Sequence, residues 1–401
     1  MKKWRNRFII FVCLIAAVFC GVYTVYRLQQ EKMETSSIYE DKSEELTAVQ
    51  QEEVYPEPKE ATILAAGDIM FHEPQIRAAY NEGNDTYDFK DTFKWVKPYI
   101  SSSDLSIANL ETVTAGKQYG YKGYPNFNSP EEVIEALKYA EFNVLSTANN
   151  HSLDQGKNGI ISTIDNIEKY GLKNFGTYKT PNHSVLIENV NNINIALLSY
   201  TYGCNGMEQT LTSDELGYMI NLIDEEKIRS DIEEAKKQKA DLIVVFIHWG
   251  NEYQRNPNEN QISLGEKMVK WGANIVFGSH PHVVQESQII KKDGKNNFII
   301  YSLGNFLSNQ RLETVDNKYT EDGVMVQIQV EKNYERNETI IKNITYIPTW
   351  VRKYKDGNKL KYEIVPVKEF LDNKEEQGLL TTKEYTRIED SYKDTMDKMI
   401  K

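Results

Sequence analysis

The chain has 401 residues, of which 40% are hydrophobic and 26% are charged, and its formal net charge at pH 7 is −12. This acidic balance argues against a nucleic-acid partner, because contacts to a phosphate backbone need clustered positive charge. Cys13 and Cys20 lie in one apolar segment and Cys204 stands alone, so we expect no intrachain disulfide framework.

The N-terminal residues predict a membrane anchor. Four basic residues precede the apolar run Phe8–Tyr26, and about 19 residues of helix are long enough to cross a bilayer once. The basic flank predicts a cytoplasmic N-terminus, with the rest of the chain outside the cell membrane. A cleavable signal peptide is the alternative. The length of the run and the absence of a small-x-small site before Arg27 favour an uncleaved, single-pass signal anchor over residues 1–27.

Residues 28–60 predict a disordered acidic tether. Between Glu31 and Glu60 there are ten acidic residues and three lysines, and large apolar side chains are few. Such a segment cannot bury enough surface to offset the entropy that it would lose on ordering. We therefore place the main domain at residues 61–350, followed by a partly helical C-terminal extension at residues 351–401.

Beyond residue 60, apolar runs of strand length alternate with amphipathic helical segments, which is typical of an α/β domain. The central predicted strands are Thr62–Ala66, Leu105–Ala108, Asn143–Thr147, Leu242–Ile247, Ile275–Phe277 and Phe298–Ser302. The predicted helices are Asp91–Ile100, a helix capped by Ser129, Asn158–Tyr170, Asp224–Gln238 and Ile262–Trp271. The remaining predictions are a hairpin of Ser184–Glu188 and Ile193–Tyr200, strands at Met325–Val330 and Thr339–Pro348, and a helical tail from Lys383.

Polar residues suited to metal coordination follow five of these strands. They are Asp68, Glu111, Asn150 with His151, His248, and His280 with His282. Sites in open α/β sheets form outside the carboxyl ends of the strands, so we expect these side chains to converge. A mixture of imidazole, carboxylate and amide oxygen suits Mn, Zn or Fe better than Ca or Mg alone. The pattern therefore predicts a site for one or two divalent transition-metal ions.

The stretch Asn274–Val284 contributes two histidines to this prediction. Pro281 alone separates His280 from His282, and it restricts the backbone around it. A two-residue spacing in extended chain would put both imidazoles on one side. The alternative is a polar turn without ligands, and the same alternative applies to the other strand ends. His183, outside these motifs, is interpreted as an ordinary surface residue.

Six short motifs occur in a fixed order between Ala61 and Ser308. They are Gly67-Asp68, Asn109-Leu110-Glu111, Ala148-Asn149-Asn150-His151, His248-Trp249-Gly250, Gly278-Ser279-His280-Pro281-His282 and Tyr301-Ser302-Leu303-Gly304-Asn305-Phe306. This ordered set resembles the CapA family of poly-γ-glutamate capsule biosynthesis proteins, which is similar to the calcineurin-like metallophosphoesterases. The resemblance implies a four-layer α/β/β/α sandwich behind the transmembrane helix, with metals at the strand ends. Many such proteins are membrane-tethered with the domain outside, which agrees with the anchor.

The resemblance also implies roles for individual residues. In this chain, Asn150, His248 and His280 resemble the ligands of one metal in the family. The other would be held by Asp68 and His282, with Glu111 where a carboxylate bridges both ions. His151 matches the histidine that contacts the substrate and assists the leaving group. The predicted substrate-binding residues are His72, Asn109 and Asn149.

The chain departs from the family pattern at two positions. Asp68-Ile69-Met70 lacks the histidine of the usual Asp-x-His, unless His72 replaces it. Leu110-Glu111 stands where Gly-Asp is usual. Both departures concern the metal site that contains Asp68.

Three functions remain open from the sequence. The first is a metal-dependent hydrolase or transferase that acts on poly-γ-glutamate or an envelope ester, beside membrane-embedded capsule synthase subunits. The second is a non-catalytic metal-binding subunit that binds or guides poly-γ-glutamate at the synthase complex. The third is a structural surface protein whose strand-end residues only form turns. We favour the first.

The predicted topology has a direct test. Protease added to intact protoplasts should cut within residues 28–60 and release a soluble domain, because the basic flank places everything after the apolar run outside. The measurement is immunoblotting of the supernatant, with a cytoplasmic protein as the control for intact membranes. Full protection of the chain would contradict this topology.

Overall fold

The computed structural model describes residues 2–47, 55–181, 184–374 and 379–399. His183 therefore lies outside the described residues, and so does the part of the predicted tether at residues 48–54. The chain divides into two compact units, Met1–Pro56 and Glu57–Lys401.

The first unit contains one long helix, α1 (Lys2–Thr47). Its segment Trp4–Ser36 is long and apolar enough to cross a membrane. The helix is longer than the apolar run, so residues 28–47, predicted to be disordered, are helical instead. This part of the predicted tether is rich in Glu, with Gln and Lys, and these residues favour helix once an upstream segment has nucleated it.

The second unit contains sixteen described strands and ten described helices. The strands are β1 (Lys59–Ile69), β2 (Tyr80–Asn81), β3 (Thr86–Tyr87), β4 (Leu105–Leu110), β5 (Val144–Ser146), β6 (Lys173–Phe175), β7 (Leu186–Val190), β8 (Ile193–Thr201), β9 (Leu242–His248), β10 (Ile275–Ser279), β11 (Ser287–Lys292), β12 (Lys295–Ile300), β13 (Asn305–Leu307), β14 (Asp322–Asn333), β15 (Glu338–Asp356) and β16 (Lys359–Pro366). The helices are α2 (Glu73–Ala79), α3 (Lys97–Ser101), α4 (Glu132–Tyr139), α5 (Gly156–Lys169), α6 (Ser213–Met219), α7 (Glu225–Lys237), α8 (Glu259–Trp271), α9 (Leu312–Val315), α10 (Val367–Asp372) and α11 (Thr382–Met396).

These strands form two large mixed sheets. The first has the order β16-β15-β14-β1-β4-β5-β6, with β13 also paired to β1. The second has the order β11-β12-β10-β9-β8-β7. The central pairs β1–β4, β4–β5, β8–β9 and β9–β10 are parallel, as is the edge pair β5–β6, whereas antiparallel strands form the other edges.

The two sheets pack face to face, with helices on their outer faces. Along β9, Leu242, Val244 and Phe246 lie in the core between the sheets, whereas Val245 and Ile247 pack in a second core that includes residues of α7 and α8. The outer face of the first sheet packs in the same way against a core that includes residues of α3 and α4. Strands buried on both faces read as continuous apolar runs, which is why they were visible in the sequence. The predicted four-layer α/β/β/α sandwich is confirmed.

The strand register brings the predicted site residues to one edge. Asp68 pairs with Asn109 across β1 and β4, and Ser279 pairs with His248 across β10 and β9. Gly67 permits a close approach there, because a Cβ at this position would lie 2.0 Å from the carbonyl oxygen of Gly304. The carboxyl ends of both parallel cores therefore meet at a single site.

Two predicted helices begin later than their sequence suggested. The segment predicted as one helix, Asp91–Ile100, is a 3-10 turn (Lys90–Phe93) followed by α3, whose start carries Pro98, as is common in a first turn. Ser129 does not cap α4, which begins after Glu131. The Ser129 hydroxyl lies 2.9 Å from the Thr112 hydroxyl, and this tertiary contact replaces the cap.

The predicted domain boundary at residue 350 falls inside a strand. β15 continues to Asp356, and its second part from Thr349 pairs with β16, so residues beyond 350 complete the first sheet. The tail is anchored as well, since Tyr385 and Ile388 of α11 pack with Trp350 and Phe370. Residues 351–361 are mostly charged or polar, and this hid their sheet character in the sequence.

Arg387 should contribute strongly to the stability of this fold. Its Nη2 donates to the Lys318 carbonyl at 2.8 Å and to Asp322 Oδ1 at 2.7 Å, and Asp322 is fully buried. Arg387→Met should lower the free energy of unfolding by about 3 kcal/mol, because it leaves a buried carboxylate without its cation. Denaturant unfolding measures this.

Arg229→Met is the matched control, because Arg229 pairs with Glu233 on an exposed helix face. An exposed pair of this kind contributes less than about 1 kcal/mol. Equal effects of the two substitutions would contradict the role assigned to Arg387.

Candidate metal centre

Two carboxylates lie side by side at the carboxyl ends of β1 and β4. Asn109 Nδ2 donates to Asp68 Oδ1 at 2.8 Å and to Glu111 Oε2 at 3.1 Å. Asn149 in turn donates to Asn109 Oδ1 at 3.1 Å and to the Leu110 carbonyl at 2.8 Å. Asn109 and Asn149, the predicted substrate-binding residues, are buried here: Asn109 contacts both carboxylates, and Asn149 supports Asn109.

His248 ends β9 and faces this carboxylate pair. Its Nε2 lies 2.9 Å from Asn150 Oδ1 and 3.6 Å from Glu111 Oε1, and its Nδ1 lies 2.9 Å from the Ser279 hydroxyl. The ring is buried. Burial lowers the pKa of His248 well below its usual value, and the neighbouring His280 lowers it further. The imidazole is therefore neutral, which is the form that binds metals.

His282 also faces the two carboxylates. Its Nδ1 is 3.1 Å from both Asp68 Oδ2 and Asn305 Oδ1, and its Nε2 is 3.7 Å from Glu111 Oε1. One potential ligand atom from each of Asp68, Glu111 and His282 lies within 4.8 Å of the others. A second group with the same spacing consists of Glu252, His280 and His282.

Two buried atoms of the centre have no hydrogen-bond partner among the described residues. They are Glu111 Oε1 and His280 Nδ1. Each such atom costs about 1–3 kcal/mol when left unpaired. Burial, together with the Asp68 charge, raises the pKa of Glu111 well above its usual value, and burial lowers the pKa of His280 to about 3. Divalent cations would provide the missing partners, so the donor set fits the predicted metals.

The two histidines reach the site through a turn rather than extended chain. His280 has φ of 94° and His282 has φ of 56°, both in the left-handed region that non-glycine residues rarely adopt. Their ring centroids lie 5.8 Å apart. The backbone between the two histidines is thus not extended, although both rings point into the site. The adjacent Gly278 is required, because a Cβ there would lie 2.0 Å from the Tyr301 carbonyl oxygen.

His151 lies in the loop after β5, beside the centre. Its Nδ1 is 2.8 Å from Asp154 Oδ2, which also accepts the Phe127 backbone N–H at 2.6 Å. The ring packs edge-on against Phe127 with centroids 4.7 Å apart. A cleft of about 280 Å³ borders the centre, and the residues that line it include Met70, His72, Tyr124, Phe127, His151, Glu252, Tyr253, His282 and Gln310. His151 Nε2 is thus the nitrogen available to a bound molecule.

His72 belongs to the cleft wall and not to the ligand groups. Its Nδ1 accepts the Asn309 backbone N–H at 3.2 Å, and burial lowers the pKa of His72 to about 4. Within the described residues, His72 is absent from both groups of closely spaced potential ligands. Its Nδ1 is thus engaged by the backbone of Asn309, and Met70, which stands where the family pattern has the histidine, lines the cleft.

Sequence reasoning missed four residues that shape the centre: Ser279, Asn305, Asp154 and Glu252. Ser279 and Asn305 stood within the recognised motifs, but their contacts to His248 and His282 appear only in the fold. Asp154 follows His151 by three residues and Glu252 follows His248 by four. In both cases, a carboxylate shortly after a candidate metal-binding histidine could have indicated that the residue belongs to the centre.

The chain matches known proteins over most of this region. Residues 62–310 match a family described as bacterial capsule synthesis protein PGA_cap. The chain is 30% identical over 289 residues to the capsule biosynthesis protein CapA of Bacillus anthracis, covering 69% of this chain and 66% of that protein. It is 29% identical over 326 residues to the PGA biosynthesis protein CapA of Bacillus subtilis strain 168, covering 74% of this chain and 81% of that protein.

Solved structures with similarity to the chain include the calcineurin-like phosphoesterase YfkN of Bacillus subtilis. The identity is 14% and the TM-score is 0.41, covering 85% of this chain and 99% of that one. A phosphatase of Mycoplasma pneumoniae has 15% identity and a TM-score of 0.41, covering 74% of this chain and 94% of that one.

His280→Ala should remove much of the bound metal from the purified full chain. The substitution deletes an imidazole with an unpaired buried nitrogen, and few other ligands can compensate for it. Elemental analysis after reconstitution with Zn²⁺ and Mn²⁺ measures the loss. His72→Ala is the control and should keep wild-type metal content, because His72 Nδ1 accepts the Asn309 backbone N–H on the cleft wall. A wild-type chain that binds neither metal would contradict the metal centre.

Proposed function

The chain belongs to the bacterial capsule synthesis protein family PGA_cap, and we propose that it is a membrane-anchored metal-dependent hydrolase or transferase of poly-γ-glutamate capsule biosynthesis. The observation that carries this proposal is the juxtaposition of two elements. One is a buried donor set with unpaired ligand atoms, and the other is a cleft lined by a histidine oriented by a carboxylate. The bond acted on is an ester or amide of the polymer or of an envelope component.

Membrane attachment and an extracytoplasmic site complete the proposal. Helix α1 supports the first by its length and apolar composition, and the basic residues before it support the second. The two relatives named CapA support a capsule or PGA substrate by their names. Membrane-embedded synthase subunits are the partners that such a location implies.

The residues that would hold the metals are those of the converging strand ends. They are Asp68, Glu111, Asn150, His248, His280 and His282. The expected ions are one or two of Mn, Zn or Fe, and bound ions would polarise the scissile oxygen and lower the pKa of a water molecule. Asn109 holds the two carboxylates in place through its amide.

His151 then acts as the general acid. Asp154 keeps the Nδ1 proton of the imidazole in place, so Nε2 faces the cleft and can donate a proton to the leaving group. Phe127 packs against the ring and limits its rotation, so the acid keeps one orientation towards the cleft.

A non-catalytic metal-binding subunit that guides poly-γ-glutamate is the second candidate. The observation that favours it is Met70, which lines the cleft where the family pattern has a metal-binding histidine. The Asp68 group then contains a single imidazole, that of His282. Such a centre would bind γ-glutamyl carboxylates without cleaving a bond.

Paired substitutions separate these candidates. His151→Ala should keep its metal and lose about two to four orders of magnitude in turnover, which is the typical contribution of a positioned general acid. His248→Ala should lose metal and activity together. The measurements are bound metal, polymer output in cells, and hydrolysis of phosphoester and γ-glutamyl substrates in vitro. Normal polymer from His151→Ala, with His248 still essential, would identify the guiding subunit instead.

A further inference from the structure

We propose that Glu252 is an additional metal ligand that closes the centre on its cleft side. A carboxylate oxygen of Glu252 lies within 4.8 Å of ring nitrogens of both His280 and His282. The two imidazoles are buried, whereas Glu252 is exposed and lines the same cleft as His151. Glu252 therefore stands between the buried donor set and the position of a bound molecule.

The backbone holds Glu252 in this place. The next residue, Tyr253, donates its N–H to the Pro281 carbonyl at 2.8 Å, so the loop is bonded to the residue between the two histidines. Tyr253 has φ of 67°, a left-handed conformation that a loose exposed loop would not need to retain. Gly250 has φ of 89° and contacts the side chain of Gln261, with no space for a Cβ.

A second contact network fixes the other side of this loop. Gln285 Nε2 donates to the carbonyls of Gln254 and Asn256, at 2.7 and 3.2 Å. Gln261 Nε2 donates to Gln285 Oε1 at 2.9 Å, so a buried pair of glutamines supports the segment that follows Glu252. The carboxylate is thus presented by a supported loop, as a metal ligand requires.

The unpaired nitrogen of His280 points to a cation between these groups. His280 Nδ1 is buried and has no hydrogen-bond partner within the described chain, although the Glu252 carboxylate lies near the ring. A carboxylate oxygen and a neutral ring nitrogen with a lone pair are both acceptors, so they do not stabilise each other directly. A divalent cation between them binds both.

Two imidazoles and one carboxylate form a ligand set typical of catalytic Zn sites, in which a further position stays open for water or substrate. Glu252 lies on the cleft side, so the open position of such a site would face the cleft and His151. This inference rests on the metal centre of the proposed function. It adds a ligand that the strand-end residues do not include.

Titration of the metal-free full chain in detergent with Mn²⁺ tests this role. Glu252→Gln keeps the size of the side chain but removes the charge. It should lower the affinity for one equivalent of Mn²⁺ by about tenfold or more. Glu252→Asp should weaken it less, because a carboxylate is retained. Calorimetry measures affinity and stoichiometry, and electron paramagnetic resonance reports the change in Mn²⁺ coordination.

Glu286→Gln is the matched control, because it removes one exposed carboxylate elsewhere and should leave Mn²⁺ binding unchanged. Thermal unfolding of the metal-free Glu252→Gln chain should also match wild type, which excludes misfolding as the cause. If wild type binds Mn²⁺ and Glu252→Gln binds it equally well, Glu252 is not a ligand. If wild type binds no divalent metal, the proposed function fails together with this inference.

Discussion

Asn109 joins the two buried carboxylates of Asp68 and Glu111, and the rest of the centre is arranged around this contact. Two carboxylates placed side by side out of water are unfavourable, which is why the pKa of Glu111 is raised well above its usual value. The Asn109 amide offsets part of this cost by donating to both carboxylates, but Glu111 Oε1 still has no hydrogen-bond partner within the described chain. A cation supplies the opposite charge. The feature that costs stability in the metal-free chain is therefore the one that favours metal binding.

The surrounding structure stores further strain in the histidine turn. The left-handed conformations of His280 and His282 cost about 1–3 kcal/mol each and persist only where their neighbours over-determine them. Those neighbours are the β10–β9 pairing up to Ser279, the Tyr253 bond to Pro281, and the glycine at position 278. Rigid strands thus position the ligands, whereas loops carry His151 and Glu252 to the cleft, as is usual for binding and catalytic groups.

The fold extends beyond the region that identifies the family. The family match ends at residue 310, but β14 pairs with β1, the strand that carries Asp68. Arg387 and Arg311 then join the C-terminal helix and the segment after β13 to the carboxylates of Asp322 and Glu321. The tail that carries no readable chemistry in the sequence therefore completes the sheet that supports the centre.

Much of the fold and of the donor set could be predicted from the sequence. Strands such as Leu242–His248, buried on both faces, are uninterrupted apolar runs, and polar residues after them mark the sheet edge where ligands converge. Local patterns could not reveal the later start of α4 or the strand that crosses residue 350, because tertiary pairing decides both. The same holds for the amide of Asn109, which reaches Asp68 only once β1 and β4 lie side by side, and for that of Asn149, which reaches Asn109 only once the loop after β5 lies beside β4. Glu252 lies near His280 because Trp249 and Tyr253 donate backbone hydrogen bonds to Ser279 and Pro281. Sequence spacing thus determined which residues end the strands, and only the packing of two sheets and their loops decided which of those residues orient the ligands and which face the cleft.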